Sequence, residues 1–307
     1  MKLYKHLDLL DTMPKHTVVA LGNFDGLHRG HCALIERAAA SAKEQGLCSV
    51  VFAFSDNPKK AFGARTKKII SAAKKAEIIE SLGIDFLIDI PFDEHIRKMD
   101  AEAFATEIIA NKLRARAAFC GFNYRFGHKA AGTPDFLAEI GKKAGFSVTV
   151  IPPYIVDGEL VSSSKIRELI RDGDMEKSAR FLGRRFCMEG IVTEGNKLGK
   201  TIGFATANVN IDEEMVSPPN GVYITTSFLD GRRLPSVTNV GNKPTIGEYG
   251  RNVETHIFDF EEDLYGSHLR VAFIKKLRGE KKFASVFELQ ASIANDCRRA
   301  LDFHGIT

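Results

Sequence analysis

Short apolar runs alternate with longer amphipathic stretches over the first half of the chain. The apolar runs have the length of β-strands and begin near residues 17, 47, 84, 115 and 147, and the stretches between them carry apolar residues at helical spacing. A strand followed by a helix, repeated in this way, predicts a parallel sheet covered by helices. We therefore expect a doubly wound α/β domain whose last strand ends near residue 153.

The pattern changes its period after Arg184. A helical segment at about residues 162–183 precedes this point, and short β-like runs bounded by glycine and proline follow it. Such runs are typical of a small antiparallel β-barrel or a sandwich, of which we expect the barrel, with a C-terminal helix near residues 285–303 packed against it. The expected domains are residues 1–183, including the helical segment, and residues 184–307.

The distribution of charge argues against a nucleic-acid partner. The chain of 307 residues carries 43 basic and 39 acidic side chains, and its basic pairs are spread along the whole sequence. Beyond Gly183 the two signs are equal at 16 each, whereas an RNA-binding barrel needs a cationic face. This balance favours small anionic ligands.

The cysteines and the termini indicate a compartment. The five cysteines are odd in number and widely spaced, with no C-x-x-C pair, so neither a disulfide framework nor a thiolate zinc site is predicted. The N-terminus has charges where a secretion signal needs apolar residues, and no later run approaches the ~20 apolar residues of a membrane span. We expect a cytoplasmic protein without a membrane partner.

A glycine-rich segment, residues 21–31 with the sequence LGNFDGLHRGH, follows the first predicted strand. This is the carboxyl edge at which open α/β sheets bind ligands. The glycines allow the backbone to turn tightly beside a ligand, and His28 and His31 stand at or just before a helix start, where free N–H groups favour anions. The segment predicts a polyphosphate site, and the alternatives are a zinc pair or two histidines satisfied within a turn.

The same segment resembles the H-x-G-H nucleotidyltransferases, and within them the prokaryotic bifunctional riboflavin kinase/FAD synthetases. In that family a G-x-F-D-G-x-H-x-G-H stretch binds ATP in the FMN adenylyltransferase module, and residues 22–31 fit it throughout. The resemblance implies a nucleotidyltransferase-type fold in which His28 and His31 are catalytic and stabilise phosphate charge. It implies that the remaining residues bind ATP, namely Gly22, Asn23, Phe24, Asp25 and Gly30.

Two further segments are similar to signatures of the same module. Residues 121–127, GFNYRFG, follow a buried strand, and the resemblance implies that Asn123 and Arg125 bind flavin. In residues 162–167, SSSKIR, it implies that Ser163 and Ser164 bind ATP and that Arg167 is catalytic and holds the leaving pyrophosphate. By its own chemistry Arg167 is a cation that can grip phosphate oxygens in a bidentate fork, or an ordinary surface arginine. The family more often has Asp at position 123 and Thr at position 164, and both differences preserve hydrogen bonding.

A second glycine-rich segment, residues 195–208, leads into a strand-like end. By itself it is an anion-binding loop or a structural hairpin. It resembles the riboflavin kinase motif G-x-x-x-G-[RK]-x-[LI]-G-[FY]-P-T-A-N, with Ala205 in place of the usual proline. The resemblance implies that Thr206 helps to place Mg²⁺. It implies ATP contacts from Gly195, Lys200, Gly203 and Asn208.

Glu254 lies in a later strand-like run, ETHIFDF, which is similar to the same kinase module in its usual order. The resemblance implies that Glu254 is the general base for the 5′-hydroxyl of riboflavin. Without the resemblance, a carboxylate in a cross-strand salt bridge is the alternative. His256 alternates with Glu254 on the same strand face, and we expect it to be a supporting residue.

The resemblance extends from about residue 17 to residue 301. It implies an enzyme that phosphorylates riboflavin to FMN and adenylylates FMN to FAD, with ATP as co-substrate and Mg²⁺ as cofactor. Ala205 leaves open an enzyme that retains one activity, with FAD synthesis intact and a weakened kinase. A flavin- or nucleotide-sensing binding protein is the alternative from another class, and Glu254 argues against it because binding alone needs no general base.

Overall fold

The computed structural model describes residues 1–7, 13, 16–55, 66–194, 204–242 and 251–306. The chain divides into two compact units, Met1–Ser163 and Ser164–Thr307. A parallel sheet forms the centre of the first unit and a closed barrel forms the second.

The first unit alternates strands with helices. Its strands are β1 (Lys2–Tyr4), β2 (Thr17–Leu21), β3 (Cys48–Phe54), β4 (Phe86–Ile90), β5 (Ala115–Gly121) and β6 (Ser147–Ile151), followed by a short hairpin of β7 (Ile155–Val156) and β8 (Glu159–Leu160). Its helices are α1 (Arg29–Gln45), α2 (Ala72–Ser81), α3 (Glu94–Lys98), α4 (Ala101–Ala103) and α5 (Pro134–Ala144). Strands β1 to β6 form one sheet, in which all neighbours are parallel and the order is β1-β4-β3-β2-β5-β6.

Apolar side chains cover both faces of this sheet. On β2, Val19 and Leu21 pack into one core cluster, while Val18 and Ala20 pack into a second cluster on the opposite face. A strand that is buried on both faces is typical of a sheet with helices on each side. The predicted doubly wound α/β domain is confirmed.

Two elements of the first unit differ from the predicted pattern. β1 is an additional edge strand that pairs in parallel with β4, and its three residues are too few to form a recognisable apolar run. The helix predicted around residues 101–113 continues from α4 as a π-helix, Phe104–Lys112, whose hydrogen bonds span five residues. Apolar spacing does not distinguish the two helix types, so the sequence pattern predicts only a helix.

The second unit is a six-stranded antiparallel barrel with helices before and after it. Its strands are β9 (Cys187–Thr193), β10 (Ala207–Asn210), β11 (Gly221–Leu229), β12 (Arg232–Asn242), β13 (Arg251–Ile257) and β14 (His268–Gly279). Its helices are α6 (Ser163–Asp172), which begins at the division, α7 (Met175–Leu182) and α8 (Val286–His304). The barrel closes in the order β10-β13-β12-β11-β14-β9, so the predicted barrel and C-terminal helix are confirmed.

Side chains on β11 alternate between the outside and the inside of the barrel. Val222 and Ile224 pack outward in a cluster with Cys297 and Ala300 of α8. Thr225, on the other face, is fully buried and shares hydrogen bonds with hydroxyl groups of β12. The C-terminal helix therefore covers apolar positions that the barrel leaves on its outer surface.

The chain divides into compact units at Ser163, and the predicted domain boundary at residue 183 stays a prediction. The helical segment joins the second unit, because α7 packs against β14 and Glu176 forms a salt bridge of 3.5 Å with Lys275. The turn between α6 and α7 also lies against β14, since a Cβ on Gly173 would stand 3.0 Å from the Lys276 side chain. Amphipathic spacing predicts these helices but does not indicate which sheet they cover.

Candidate active sites

The predicted polyphosphate loop lies at the point where the strand order of the sheet reverses. β2 and β5 are parallel neighbours, so the loops that follow Leu21 and Gly121 leave the sheet at the same edge. The chain continues from β2 towards β3 on one side, whereas β5 and β6 lie on the other. In open α/β sheets, ligands bind in the crevice at such a reversal.

The loop between β2 and α1 has an unusual backbone that its burial maintains. Phe24, Gly26 and Leu27 have φ angles of 51°, 82° and 39°, and the two non-glycine side chains are fully buried. Positive φ is uncommon for residues with a Cβ, and such strain persists where packing over-determines it. A Cβ on Gly26 would also lie 2.9 Å from Cδ1 of Ile69, so both the conformation and the space require glycine.

Asp25 ties this loop to two other segments of the first unit. Its Oδ1 accepts a hydrogen bond of 3.0 Å from the backbone N–H of Ile69. Its carbonyl oxygen accepts one of 2.8 Å from the hydroxyl group of Ser163. These bonds give Asp25 a role in shaping the loop, which the sequence motif does not reveal.

His28 is the N-cap of α1. Its backbone is extended, and its Nδ1 accepts a hydrogen bond of 3.2 Å from the backbone N–H of His31, one of the N–H groups that a helix start leaves without a partner in the helix. A ring nitrogen that accepts carries no proton, so a neutral His28 holds its proton on Nε2. The cap therefore fixes the tautomer of His28 and leaves Nε2–H as a donor.

The two imidazoles of the motif lie face to face. The ring centroids of His28 and His31 are 3.6 Å apart with an interplanar angle of 17°, and the ring of Phe24 meets His31 edge-on at 5.3 Å. A Cβ on Gly30 would stand 3.0 Å from Cβ of Tyr154 and 3.4 Å from the His28 ring, so glycine is what fits between them. The first turn of α1 contains no acidic residue, and the arrangement suits an anion at the helix N-terminus.

The loop after β5 presents polar and aromatic side chains at the same edge. Asn123 and Arg125 are exposed, and the ring of Tyr124 stacks on that of Phe126 at 5.6 Å. Burial raises the pKa of the Tyr124 hydroxyl, with a further contribution from Cys120, so this tyrosine stays neutral. Phe122 is 41% exposed and was not predicted as a site residue, because it reads as the end of an apolar run.

The serine-rich segment begins α6. Ser163 is the first residue of the helix, Ser164 is exposed, and Arg167, one turn further on, is only 5% exposed. A buried guanidinium differs from the ordinary surface arginine that sequence alone left open. Because the observed division falls at Ser163, the predicted grouping of Arg167 with His28 and His31 stays a prediction.

Glu254 lies between two asparagines of neighbouring strands. In the barrel register it pairs with Asn208 of β10 on one side and with Asn239 of β12 on the other. Nδ2 of Asn252 donates a hydrogen bond of 2.6 Å to its Oε1. Within the described residues its carboxylate forms no salt bridge, and its hydrogen-bond donor there is the amide of Asn252 on the same strand.

Thr206 stands directly before β10. Its side chain is half-buried, Asn208 is 6% exposed, and Asn208 lies opposite Glu254 in the strand register. His256 follows Glu254 on the same face, and its Nδ1 lies 2.7 Å from the carbonyl oxygen of Ala205. The structure thus brings Thr206, Asn208 and Glu254 to one edge of the barrel.

Other predicted residues lie outside the described part of the chain. Gly195, Lys200 and Gly203, which the resemblance places around ATP, belong to residues 195–203. The described residues contain no group of three or more His, Cys, Asp or Glu side chains arranged to hold a metal ion, which gives the zinc alternative for His28 and His31 no third ligand there. Across the same residues, no helix has the length and apolarity needed to cross a membrane.

Comparison with known proteins gives a consistent result for both units. The family model described as FAD synthetase matches residues 10–165, and that described as riboflavin kinase matches residues 182–304. The bifunctional riboflavin kinase/FMN adenylyltransferase of Escherichia coli strain K12 is 33% identical over 311 aligned residues, covering 100% of this chain and 99% of its own. That of Bacillus subtilis strain 168 is 33% identical, covering 94% and 92%.

A solved structure shares the whole architecture. A Streptococcus pneumoniae protein described as a macrolide-efflux protein superposes with a TM-score of 0.88 at 28% identity, covering 96% of this chain and 97% of its own. The match therefore extends along nearly the full length of both chains and includes the elements of both units.

Proposed function

The chain belongs to the family of bifunctional riboflavin kinases/FMN adenylyltransferases, and from that premise we propose which residues carry each reaction. It phosphorylates riboflavin to FMN with ATP, and it adenylylates FMN with a second ATP to give FAD. The adenylyltransferase reaction belongs to the residues of the FAD synthetase match and the kinase reaction to those of the riboflavin kinase match.

In adenylyl transfer, a phosphate oxygen of FMN attacks the α-phosphorus of ATP and the bond to the pyrophosphate oxygen breaks. The negative charge that moves onto the bridging oxygen and the pyrophosphate needs donors that are already in place. We assign this task to Nε2–H of His28 and to His31, at the N-terminus of α1. The carrying observation is the N-cap bond from His31 N–H to Nδ1 of His28, because it places the proton of the neutral His28 ring on Nε2.

The remaining contacts of this reaction are assigned to residues of the other sequence motifs. Ser163 and Ser164 at the start of α6 bind ATP phosphates, and Arg167 holds the leaving pyrophosphate. Asn123 and Arg125 bind FMN, and the exposed ring of Phe122 adds an apolar face for the isoalloxazine. The loop residues Gly22, Asn23, Phe24, Asp25 and Gly30 shape the ATP site, and in this group Asp25 acts through the backbone of Ile69 and the hydroxyl group of Ser163.

In riboflavin phosphorylation, Glu254 takes the proton of the 5′-hydroxyl as that oxygen attacks the γ-phosphorus of ATP, and ADP leaves. The amide of Asn252 donates to Oε1 of this carboxylate, and within the described residues the carboxylate forms no salt bridge. Asn208 contacts the nucleotide phosphates, as do Gly195, Lys200 and Gly203.

Mg²⁺ fits the donors at this edge of the barrel. The hydroxyl group of Thr206 is a hard oxygen ligand, and Mg²⁺ keeps most of its water and needs few ligands from protein. When bound with ATP, the ion neutralises charge on the phosphates. Thr206 holds that position through its place directly before β10.

The reactions belong in a reducing compartment, which we identify as the cytoplasm. None of the five cysteines is in a disulfide, and burial raises the pKa of Cys120 and of Cys297 to about 11, so these two stay protonated. The equal numbers of basic and acidic residues beyond Gly183 support a protein that does not bind nucleic acid.

Product analysis tests both assignments in one chain. With riboflavin, ATP and Mg²⁺, we expect His31→Ala to accumulate FMN and Glu254→Gln to leave riboflavin unchanged while still converting added FMN to FAD. Each activity is the folding control for the other. Formation of FAD at the wild-type rate by His31→Ala, or of FMN by Glu254→Gln, would refute the corresponding assignment. If the chain were a sensing protein without catalytic activity, neither riboflavin nor FMN would be converted to product.

A further inference from the structure

His256 contacts the backbone directly before Thr206. Its Nδ1 lies 2.7 Å from the carbonyl oxygen of Ala205, and a carbonyl oxygen only accepts, so Nδ1 carries the proton and donates. The contact joins β13, on which Glu254 lies, to the segment that enters β10. It crosses 51 positions of the sequence and is not part of the strand ladder.

Two phenylalanine rings fix the imidazole in this orientation. Phe204 meets it edge-on at 5.7 Å with an interplanar angle of 82°, and Phe258 meets it at 5.5 Å with an angle of 85°. Phe258 is buried in the cluster beneath α8, and Phe204 packs against the same cluster. The donor of His256 is therefore held in place before any ligand binds.

Thr206 lies between two points of attachment to β13. On its C-terminal side, Ala207 pairs with Thr255 as the first residue of the β10 ladder. On its N-terminal side, Ala205 lies outside the strand ladder, and in the described part of the chain the bond from His256 attaches it to β13. Alanine leaves φ free at this position, whereas a proline would fix it, so the position of Thr206 depends on the side-chain bond.

We propose that His256 is a positioning residue for the phosphorylation of riboflavin. Its Nδ1–H fixes the carbonyl of Ala205 and thereby sets Thr206 where it meets Mg²⁺–ATP beside Glu254. This proposal rests on the assignment of Thr206 and Glu254 to the kinase site. His256 acts on the nucleotide through the backbone, and it neither touches the reacting atoms nor transfers a proton.

Three substitutions separate the donor from the ring. His256→Asn places an amide donor at the position of Nδ1 but removes the ring, His256→Phe keeps an aromatic ring without a donor, and His256→Leu has the branched shape of asparagine with neither. A single hydrogen bond of this kind contributes on the order of a tenfold effect. We expect the KM for Mg²⁺–ATP in the kinase reaction to rise about tenfold in His256→Phe and His256→Leu, and to stay within about threefold of wild type in His256→Asn.

The KM for riboflavin and the conversion of FMN to FAD should not change in any of the three variants, and thermal unfolding checks that the barrel is intact. If His256→Phe does not fold, the His256→Asn and His256→Leu pair decides the question alone. A wild-type KM for Mg²⁺–ATP in His256→Leu would overturn the proposal, as would an equal loss in His256→Asn and His256→Leu. Glu254→Gln is assayed alongside: if it phosphorylates riboflavin normally the site assignment fails, whereas its inactivity beside an unaffected His256→Leu refutes the role of His256 only.

Discussion

His28 has two roles that one pair of substitutions can separate. The imidazole caps α1 through Nδ1, and in the function proposed above its Nε2–H acts on the phosphates. Asparagine carries an acceptor oxygen at the position of Nδ1 and is among the preferred N-cap residues, but it has no group at the position of Nε2. We therefore expect His28→Asn to keep the cap and lose the catalytic donor, while His28→Ala loses both.

The magnitudes follow from the geometry. Both variants lose the same stacked ring, so the difference in their stability reports the cap, which is about 1 kcal/mol. For the first unit, Met1–Ser163, this difference in stability corresponds to a difference in Tm of about 2–4 °C. Loss of one preorganised donor lowers the turnover of FMN to FAD by about 10²–10³ in both variants.

The assay combines differential scanning calorimetry with the rate of FAD formation from FMN, and phosphorylation of riboflavin by the same chain is the control. Equal melting temperatures for His28→Asn and His28→Ala would show that the Nδ1 contact does not stabilise the helix. Turnover within tenfold of wild type in His28→Asn would show that Nε2–H is not the group that stabilises the phosphates. Either result refutes the corresponding half of the reasoning.

Two further predictions concern stability. Lys75 and Asp89 form an ion pair of 2.5 Å, and both are buried. Lys75→Met leaves an unpaired buried carboxylate, so the free energy of unfolding measured with urea should fall by about 3–5 kcal/mol. A decrease below about 1 kcal/mol would contradict this prediction. His304 bonds the carbonyl oxygen of Thr225, and burial, with Arg233 and Arg185, lowers its pKa below 6.5. The unfolded chain therefore binds the proton of His304 more readily than the folded chain does. The contribution of neutral His304 to the free energy of unfolding is complete above pH 6.5 and is lost as the pH falls through the folded-state pKa. His304→Gln should reduce the loss of stability in this acid range, and an unchanged pH dependence would contradict the assignment.

The sheet and the barrel could be predicted because the spacing of apolar residues along the chain indicates which faces of each strand are buried. β2 is buried at every position and apolar at the four positions after Thr17, which is typical of a strand covered on both faces, and β11 alternates between an outer face under α8 and a hydroxyl-lined interior. The attachment of α6 and α7 could not be predicted in this way. Amphipathic spacing shows that a helix has one buried face, but the surface that covers this face is set by tertiary packing.

The site residues could be predicted by type but not by contact. The motif predicts that His28 and His31 stand at a helix start, but histidine is not a common N-cap residue, so the bond to Nδ1 and the tautomer it imposes have no local signal. The asparagines around Glu254 come from three strands, and their convergence depends on strand register, which pairing across the barrel decides.

The tautomers assign different work to the histidines of the two sites. His28 accepts at Nδ1, so in its neutral form it presents Nε2–H, a donor that stabilises an anion. His256 donates at Nδ1, so in its neutral form Nε2 carries a lone pair, which repels a phosphate oxygen. A histidine beside a nucleotide is usually interpreted as a phosphate ligand. In our proposal histidine has that role only where a backbone N–H donates to its unprotonated Nδ1, which leaves the proton on Nε2. The backbone partner of each ring, more than the presence of the imidazole, is therefore what supports the proposal that His28 acts on the phosphates and that His256 acts on the chain that holds them.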